Sequence, residues 1–293
     1  MRGARIHELG QAPQVADLAD AAGLEVVAVA LNPLDVNVGA GRFYGGHPPL
    51  PYVPGCEASA RTADGGLVYL FGEGHGVVKD GFMAERVNVS DEVVLPLPDG
   101  TDPNVAAALG IAGVAAWGAT AWKAKPGPGD RVLVLGASGV VGQVAVQAAR
   151  LLGAEKVVGA SRSGAGGTIT FDGIADEFGS EGFTVCIDPV WGQVVADALE
   201  FAAPRARIVQ LGQSAGPEAP LKSADVRGKE LVVQVHSNFA MTRDERDRCY
   251  LELLEHVSAG RIELPLTAYP LDSVAEAWER QAGGAHEKIV VTL

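Results

Sequence analysis

Three evenly spaced glycines between an apolar run and a helical segment are the feature that most constrains this 293-residue chain. The pattern Gly-x-x-Gly-x-x-Gly covers residues 136–142, directly after the β-branched run Arg131–Leu135, and it opens a helical apolar periodicity over 140–152. Glycines at such a turn let the backbone approach a pyrophosphate, while the helix N-terminus offers free N–H groups. The pattern predicts a dinucleotide-binding turn; a tight turn that binds nothing is the alternative.

The surrounding sequence repeats the alternation of apolar run and helical segment. Further runs lie at residues 156–160, 184–187, 207–211 and 231–235. Because these runs are continuous rather than alternating, the strands are expected to be covered on both faces, as in a parallel α/β sheet. We therefore predict an α/β fold with a doubly wound parallel sheet.

Both ends of the chain have a different sequence pattern. Residues 1–100 contain short apolar runs, such as Leu24–Leu31, punctuated by prolines and closely spaced glycines, which indicates a β-rich, loop-rich region. Toward the C-terminus, the patterns at 242–245 and 273–276 fit capping boxes, Gly260 suits a helix end, and residues 287–293 read as a closing strand.

Composition argues against several classes of partner. The chain has 36 acidic and 23 basic residues, and its net charge of −13 would repel a nucleic-acid backbone. Its three cysteines, Cys56, Cys186 and Cys249, are far apart, which argues against a disulfide framework and favours a reducing, cytoplasmic compartment.

One uncharged segment, at residues 105–122, is long enough to span a membrane. It consists mainly of alanine and glycine, with few large aliphatic side chains, so we interpret it as a helix packed inside a globular protein. The N-terminus carries Arg2 and Arg5 without an apolar run after them, so no secretory signal is visible. We expect no membrane partner.

The end of the second predicted strand indicates which dinucleotide is bound. An NAD site usually has an acidic residue there, whereas this chain has Ser161 and Arg162. A hydroxyl and a cation suit a 2′-phosphate, so the sequence favours NADP (NADPH), with a solvated Arg162 as the alternative. The predicted cofactor contacts in the turn and at this strand end are Gly136, Ser138, Gly139, Val140, Gly142, Ser161 and Arg162.

Taken in order, these and other stretches resemble the medium-chain dehydrogenase/reductase superfamily, in particular its zinc-free quinone oxidoreductase branch. The further stretches that carry the resemblance are residues 31–35, 51–57, 81–85, 95–100, 125–130 and 269–277. The resemblance covers nearly the whole chain. It implies a GroES-like β-rich substrate domain at 1–101, completed by 242–293, and an inserted Rossmann NAD(P)-binding domain at 102–241, with the active site in the cleft.

The resemblance also bears on zinc. Zinc members carry a Gly-His-Glu histidine where this chain has Gly55-Cys56-Glu57, and they carry a cysteine in the region of Asp35, where this chain has none. The four-cysteine structural lobe is missing, and the histidines show no paired ligand spacing. We therefore expect no metal, and in the absence of a Lewis acid an activated acceptor such as a quinone or an α,β-unsaturated carbonyl is favoured.

For catalysis, the resemblance places Asn32 near substrate or nicotinamide and leaves Tyr44 as the best proton donor. The tyrosines of many quinone reductases fall here at Asn37 and Phe43. The alternatives are a turn-forming Asn32 and a half-buried structural Tyr44. By the resemblance, Ser237 and Asn238 lie near the nicotinamide carboxamide, and Gly212 is a further expected cofactor contact.

Two departures from relatives leave the function open. A threonine of the nicotinamide pocket falls at Ala115, and residues 164–167 replace a helix that walls the adenosine. The leading hypothesis is an NADPH-dependent reductase of a small molecule. An NADPH-binding redox sensor or structural protein without turnover, or a chain that has lost the cofactor, are the alternatives. Relatives also imply a homodimer through the edge strand at 231–235.

Overall fold

The computed structural model describes all 293 residues, which form two compact units. Unit 1 comprises Met1–Ala112 and Leu264–Leu293, and unit 2 comprises Gly113–Glu263. The β-strands are, in chain order, β1 Arg2–Arg5, β2 Gln14–Asp17, β3 Leu24–Leu31, β4 Glu57–Arg61, β5 Leu67–Phe71, β6 Arg86–Val87, β7 Val94–Pro96, β8 Arg131–Leu135, β9 Lys156–Ser161, β10 Ile169–Thr170, β11 Phe183–Asp188, β12 Ala202–Gln210, β13 Val232–Val235, β14 Leu266–Pro270 and β15 Lys288–Thr292.

The α-helices are α1 Pro33–Gly39, α2 Pro103–Leu109, α3 Ile111–Trp117, α4 Val140–Leu151, α5 Ile174–Phe178, α6 Gly192–Ala198, α7 Ser223–Gly228, α8 Arg243–Ser258 and α9 Val274–Ala282. Helix α3 continues into a π-helical segment at Gly118–Ala124. In the region expected to be β-rich, α1 is a helix that the sequence did not predict. It forms because the Asp35 carboxylate accepts from the N–H of the N-cap residue Asn32 and Pro33 occupies the first turn, where the missing N–H costs nothing.

Unit 1 is organised around a mixed sheet in the order β14-β15-β3-β4-β5-β7, with β6 beside β3. The C-terminal strand β15 pairs antiparallel with β3, placing Val290 opposite Ala30. Alternate side chains of β3 and β15 enter an apolar core with α9, whose Trp278 is also buried. The closing strand expected at 287–293 is thus a central strand of the first unit.

Unit 2 contains a six-stranded sheet in the order β10-β9-β8-β11-β12-β13, and every pair in it is parallel. The predicted α/β doubly wound sheet is confirmed. The chain runs outward from β8 in one direction and from β11 in the other, so the order reverses between these two strands. Ligands of such sheets bind at the carboxyl ends of the strands at this reversal.

The unit boundaries lie later in the chain than the expected 101/102 and 241/242. Helix α2 packs on the first sheet, since Ala107 and Ala108 contact Ala28, Ala30 and Val290 in one apolar cluster. Helix α8 instead belongs to unit 2, where Glu252 accepts hydrogen bonds from the indole N–H groups of Trp117 and Trp122 at 3.0 and 2.7 Å. These side-chain contacts, which the sequence pattern does not reveal, set the division.

Of the two predicted capping boxes, one is formed. The hydroxyl of Thr242 and the carboxylate of Glu245 cap α8 reciprocally, and Gly260 follows that helix with φ +66°. The second prediction was wrong: Ser273 makes no side-chain cap. It ends a 3-10 turn and has ψ +20°, so it lacks the extended backbone that directs a capping hydroxyl toward the helix.

The segment at 105–122 is divided among α2, α3 and the π-helical segment. No single helix has the length and apolar character needed to cross a membrane. Only the bent pair Pro103–Leu109 and Ile111–Ala124, at 58° to each other, meets the length and composition criteria jointly.

Candidate functional site

The glycine turn of unit 2 has the geometry that its sequence predicts. Gly136 has φ +62°, and the N–H of Gly139 donates to the carbonyl of Gly136 at 3.0 Å. A Cβ at Gly142 would lie 2.5 Å from both the Gly136 carbonyl oxygen and the Cα of Ala137. The first turn of α4 can therefore approach the end of β8 only because residue 142 is glycine.

The other predicted residues of the turn flank the helix start. Gly139 is the N-cap of α4 and Val140 its first residue, and both are half-buried. The carbonyl of Ser138 accepts a hydrogen bond from the Gln143 side chain at 2.8 Å, which closes the turn over the helix. The free N–H groups at this helix start form a cradle suited to an anion.

The end of β9 is tied to the same turn. The N–H of Ala137 donates to the carbonyl of Ala160 at 3.0 Å, which brings Ser161 and Arg162 beside the glycines. Ser161 is buried, and its hydroxyl contacts Thr168 at 2.6 Å while accepting from the Gly164 N–H. This hydroxyl therefore holds the short loop, whereas Arg162 is exposed.

The loop from β9 to β10 is confirmed to lack a full helix. Residues 162–168 contain only the 3-10 turn Ala165–Gly167, and Gly164, Gly166 and Gly167 all have positive φ. Parallel strands usually need a crossover of a dozen residues or more, so this connection is unusually short. The first helical element after β10 is the 3-10 turn Phe171–Gly173, which leads into the five-residue α5.

The remaining predicted cofactor contacts lie at the carboxyl ends of β12 and β13. A Cβ at Gly212 would lie 2.5 Å from the carbonyl oxygen of Pro189, so this glycine packs on the loop after β11. Ser237 is exposed, and the side chain of Asn238 meets the His236 imidazole at 3.0 Å. All three residues thus lie at the same edge of the sheet as the glycine turn.

In unit 1, Asn32 belongs to a buried polar network. Its Oδ1 accepts from Lys288 Nζ at 2.8 Å, and its Nδ2 donates to Glu57 Oε1 at 2.8 Å. Lys288 Nζ also lies 3.1 Å from Glu57 Oε1, and Asn32, Glu57 and Lys288 are at most 2% exposed. Both polar groups of the Asn32 side chain are thereby engaged within the protein.

Glu57 is the centre of this network. Its second oxygen, Oε2, accepts from the Tyr69 hydroxyl at 2.8 Å and from the Ile111 N–H at 2.6 Å. A buried carboxylate requires such partners, because charge removed from water is costly unless it is paired and hydrogen-bonded. The network joins β3, β4, β5 and β15, and so ties the C-terminal segment to the N-terminal one.

Asp35 and Cys56 form a second buried pair next to this network. Asp35 accepts from the Asn32 N–H at 2.8 Å and from the Cys56 N–H at 2.9 Å, and the Cys56 thiol also bonds to this carboxylate. Burial raises the pKa of Asp35, and burial likewise raises the pKa of the Cys56 thiol. The thiol is therefore a protonated donor rather than a reactive thiolate.

Tyr44, the predicted proton donor, lies outside these networks. Its side chain is 86% exposed, and its ring packs against that of Phe43, tilted, with centroids 4.4 Å apart. It is thus not the half-buried aromatic that we considered as the alternative. The chain offers nothing that fixes the direction of its hydroxyl, so its assignment stays a prediction.

Comparisons with known proteins agree with this architecture. A family model described as zinc-binding dehydrogenase matches residues 152–291. Quinone oxidoreductase of Pongo abelii is 28% identical over 327 residues, which covers 100% of this chain and 98% of the relative. These similarities agree with the resemblance of the sequence to the medium-chain dehydrogenase/reductase superfamily. Quinone oxidoreductase from Thermus thermophilus, solved alone and with NADPH, has the same fold (TM-score 0.83, 24% identity, full coverage of both chains).

A further relative is much larger. A phenolphthiocerol/phthiocerol polyketide synthase chain of Mycobacterium tuberculosis is 28% identical over 305 residues, which covers 94% of this chain. The present chain spans 14% of the length of that synthase. Unit 2, with its parallel sheet and glycine turn, has a Rossmann-type fold, and unit 1 is built on a mixed sheet.

Two features of the site were missed from the sequence. The pairing of Glu57 with Lys288 joins residues 231 positions apart, and no local pattern signals it. The second is His75, for which the surrounding glycines of loop 72–81 were the only signal in the sequence.

The side chains that could ligate a metal are dispersed. The three cysteines are buried and unpaired. No group of three His, Cys, Asp or Glu side chains is arranged to hold a metal ion.

Proposed function

We propose that this protein is an NADPH-dependent oxidoreductase of the medium-chain dehydrogenase/reductase type that passes hydride to a quinone or an α,β-unsaturated carbonyl without zinc. The observation that carries the proposal is the glycine turn at the sheet reversal, where Gly142 brings α4 against the backbone of Gly136 and Ala137. When bound, NADPH would supply the hydride. The protein's part is to hold the pyrophosphate on the N–H groups of α4 and to orient the two reactants.

The chemistry of the possible metal ligands supports a zinc-free reaction. Asp35 and Cys56 are buried and bonded to each other, and the two Asp35 oxygens also accept from the backbone N–H groups of Asn32 and Cys56. Burial keeps the Cys56 thiol protonated, whereas zinc binds the thiolate. An acceptor that is already electrophilic needs no Lewis acid, which favours quinones and enones over alcohols.

The test is NADPH oxidation by the full chain, followed by absorbance, against a panel of quinones and a panel of enones. We expect turnover with at least one acceptor and no loss after treatment with a zinc chelator. Tight NADPH binding without turnover would favour the redox-sensor alternative. Absence of binding would show that the shortened loop after β9 has removed the cofactor site.

Replacing Arg162 should reveal the cofactor preference. If the exposed guanidinium binds the 2′-phosphate, Arg162→Ala should weaken NADPH binding about tenfold, ~1.4 kcal/mol, and leave NADH binding unchanged. Fluorescence titration with both nucleotides measures this, with Arg150→Ala at the exposed end of α4 as the control. Equal losses for NADPH and NADH would contradict the assignment.

We also propose that the chain forms a homodimer through β13. This edge strand and the turn after it expose Val232, Val233, Val235 and Phe239 by 42–66%. An apolar strand edge is a surface that pairing covers. Light scattering should give twice the 30.2 kDa of the chain, and Val235→Lys should give a monomer, while Leu151→Lys elsewhere on unit 2 should not. A monomeric wild type would refute this proposal.

A further inference from the structure

The proposed reaction needs a proton that none of the predicted residues is placed to give. After hydride reaches the β-carbon of an enone, the product is an enolate that takes up one proton. Asn32 has no acidic proton, and Tyr44 is 86% exposed with nothing to orient its hydroxyl. Other proton donors in unit 1 include the ionisable side chains packed around Gly55–Glu57.

Most of these side chains are buried and already hydrogen-bonded to one another. Asp35, Cys56, Glu57 and Lys288 are each at most 2% exposed, and each is bonded to another of the group or to Asn32. Tyr69 is also buried and donates its hydroxyl proton to Glu57. A proton held by any of them cannot reach a bound molecule without breaking the network.

His75 is the exception in this part of unit 1. It lies on the glycine-rich loop 72–81, whose Gly76 packs on the Gly55–Cys56 backbone so closely that a Cβ there would lie 2.8 Å from Gly55. The imidazole stacks on the buried ring of Phe82, with centroids 4.7 Å apart and planes at 27°. The Phe82 N–H in turn donates to the Gly55 carbonyl at 3.0 Å.

The orientation of this imidazole is fixed. Its Nδ1 lies 2.8 Å from the carbonyl oxygen of Asp80, and since a carbonyl can only accept, Nδ1 carries a hydrogen. Nε2 has no partner within the chain, and the residue is only partly buried. A histidine held at one nitrogen and free at the other has the arrangement of a general acid or base.

We propose that His75 is the proton donor of the reductase, an inference that rests on the proposed function. The Nε2–H bond of the imidazolium breaks, the proton goes to the α-carbon of the enolate, and neutral His75 takes up a proton from water. The hydride supplies two electrons and the imidazolium one proton, so the acceptor gains two hydrogens in total.

The surroundings of His75 set the direction of the pH dependence. Burial lowers the pKa of His75, the Asp80 carbonyl and the Glu73 and Asp80 carboxylates raise it, and Lys79 lowers it. The donor is the protonated form, which is populated below this lowered pKa. Enone reduction limited by proton transfer should therefore slow as the pH rises through that value, below the usual value of about 6.5 for histidine.

The variant His75→Asn tests the proposal, because an asparagine amide can still donate to the Asp80 carbonyl but has no acidic proton. We expect kcat with an enone to fall about 100-fold, with NADPH affinity unchanged and partial recovery in imidazole buffer. In D2O the wild type should place deuterium on one face of the α-carbon, and the variant on both faces. His7→Asn, an exposed histidine of the same unit, is the control.

Each outcome decides the matter. A His75→Asn enzyme with unchanged kcat, pH profile and deuterium stereochemistry would overturn the inference and leave the proposed function intact. A wild type that reduces no acceptor would overturn both. A fall in kcat that imidazole does not restore, with deuterium still on one face, would show that His75 only stabilises its loop and would also overturn the inference.

Discussion

Replacing Lys288 with methionine should destabilise unit 1 by about 3–5 kcal/mol, the cost of leaving a buried carboxylate without its counter-ion. The side chains of Lys288 and Glu57 are 3% and 0% exposed, so water cannot take over the lost contact. The loss should appear as faster hydrogen exchange of the β3 and β15 amides, which pair directly.

A matched control lies on the same segment. Arg280 pairs with Glu287 at 3.1 Å, but this pair is exposed, so Arg280→Met should cost no more than about 1 kcal/mol. The double variant Lys288→Met/Glu57→Gln should lose less than the sum of its single variants, because each single change leaves one buried group without its partner. Equal effects of Lys288→Met and Arg280→Met would contradict the role assigned to the network.

A methyl group at Gly139 should remove cofactor binding while leaving the fold intact. Gly139 has φ −82° and ψ 163°, which alanine adopts freely, and an added Cβ would lie no closer than 3.4 Å to the Gly136 carbonyl. That methyl would instead occupy the space in which the backbone approaches the pyrophosphate. We expect NADPH affinity to fall at least about tenfold, ~1.4 kcal/mol or more, in a fluorescence titration.

Gly127→Ala is the companion variant for this experiment, because a Cβ there meets nothing within 4 Å and lies outside the turn. It should bind NADPH like the wild type. The melting temperatures of both variants should stay close to that of the wild type. If Gly139→Ala bound NADPH normally, the glycine turn would not be the phosphate site.

The sequence was most informative where structure is local. The run Arg131–Leu135, the glycine turn and the helix after it are neighbours in the chain, so their periodicities and turn chemistry predicted β8, the turn and α4. Continuous apolar runs predicted the parallel sheet, because strands that are covered on both faces are apolar throughout. The strand order itself is seen only in the structure.

The candidate site in unit 1 was harder to predict because distant segments build it. Asn32 looked like a possible substrate contact, but Glu57 and Lys288 take up both polar groups of its amide. The carbonyl that fixes the ring of His75 is the backbone carbonyl of Asp80. Any residue type has such a carbonyl, so this hydrogen bond cannot be inferred from the sequence. Helix α2 was expected in the Rossmann domain but lies in unit 1, where its alanines contact the sheet. The composition of the helix does not show which sheet it packs against.

Following the hydride itself tests most directly whether this chain passes hydride from NADPH to an electrophilic acceptor. NADPH with deuterium at the transferring carbon of the nicotinamide is incubated with the full chain and each acceptor, and the product is analysed by mass spectrometry. We expect the reduced enone to carry deuterium at its β-carbon, and Gly139→Ala to form far less of it. A reduced enone without deuterium, or no product with any acceptor, would contradict hydride transfer from NADPH by this chain.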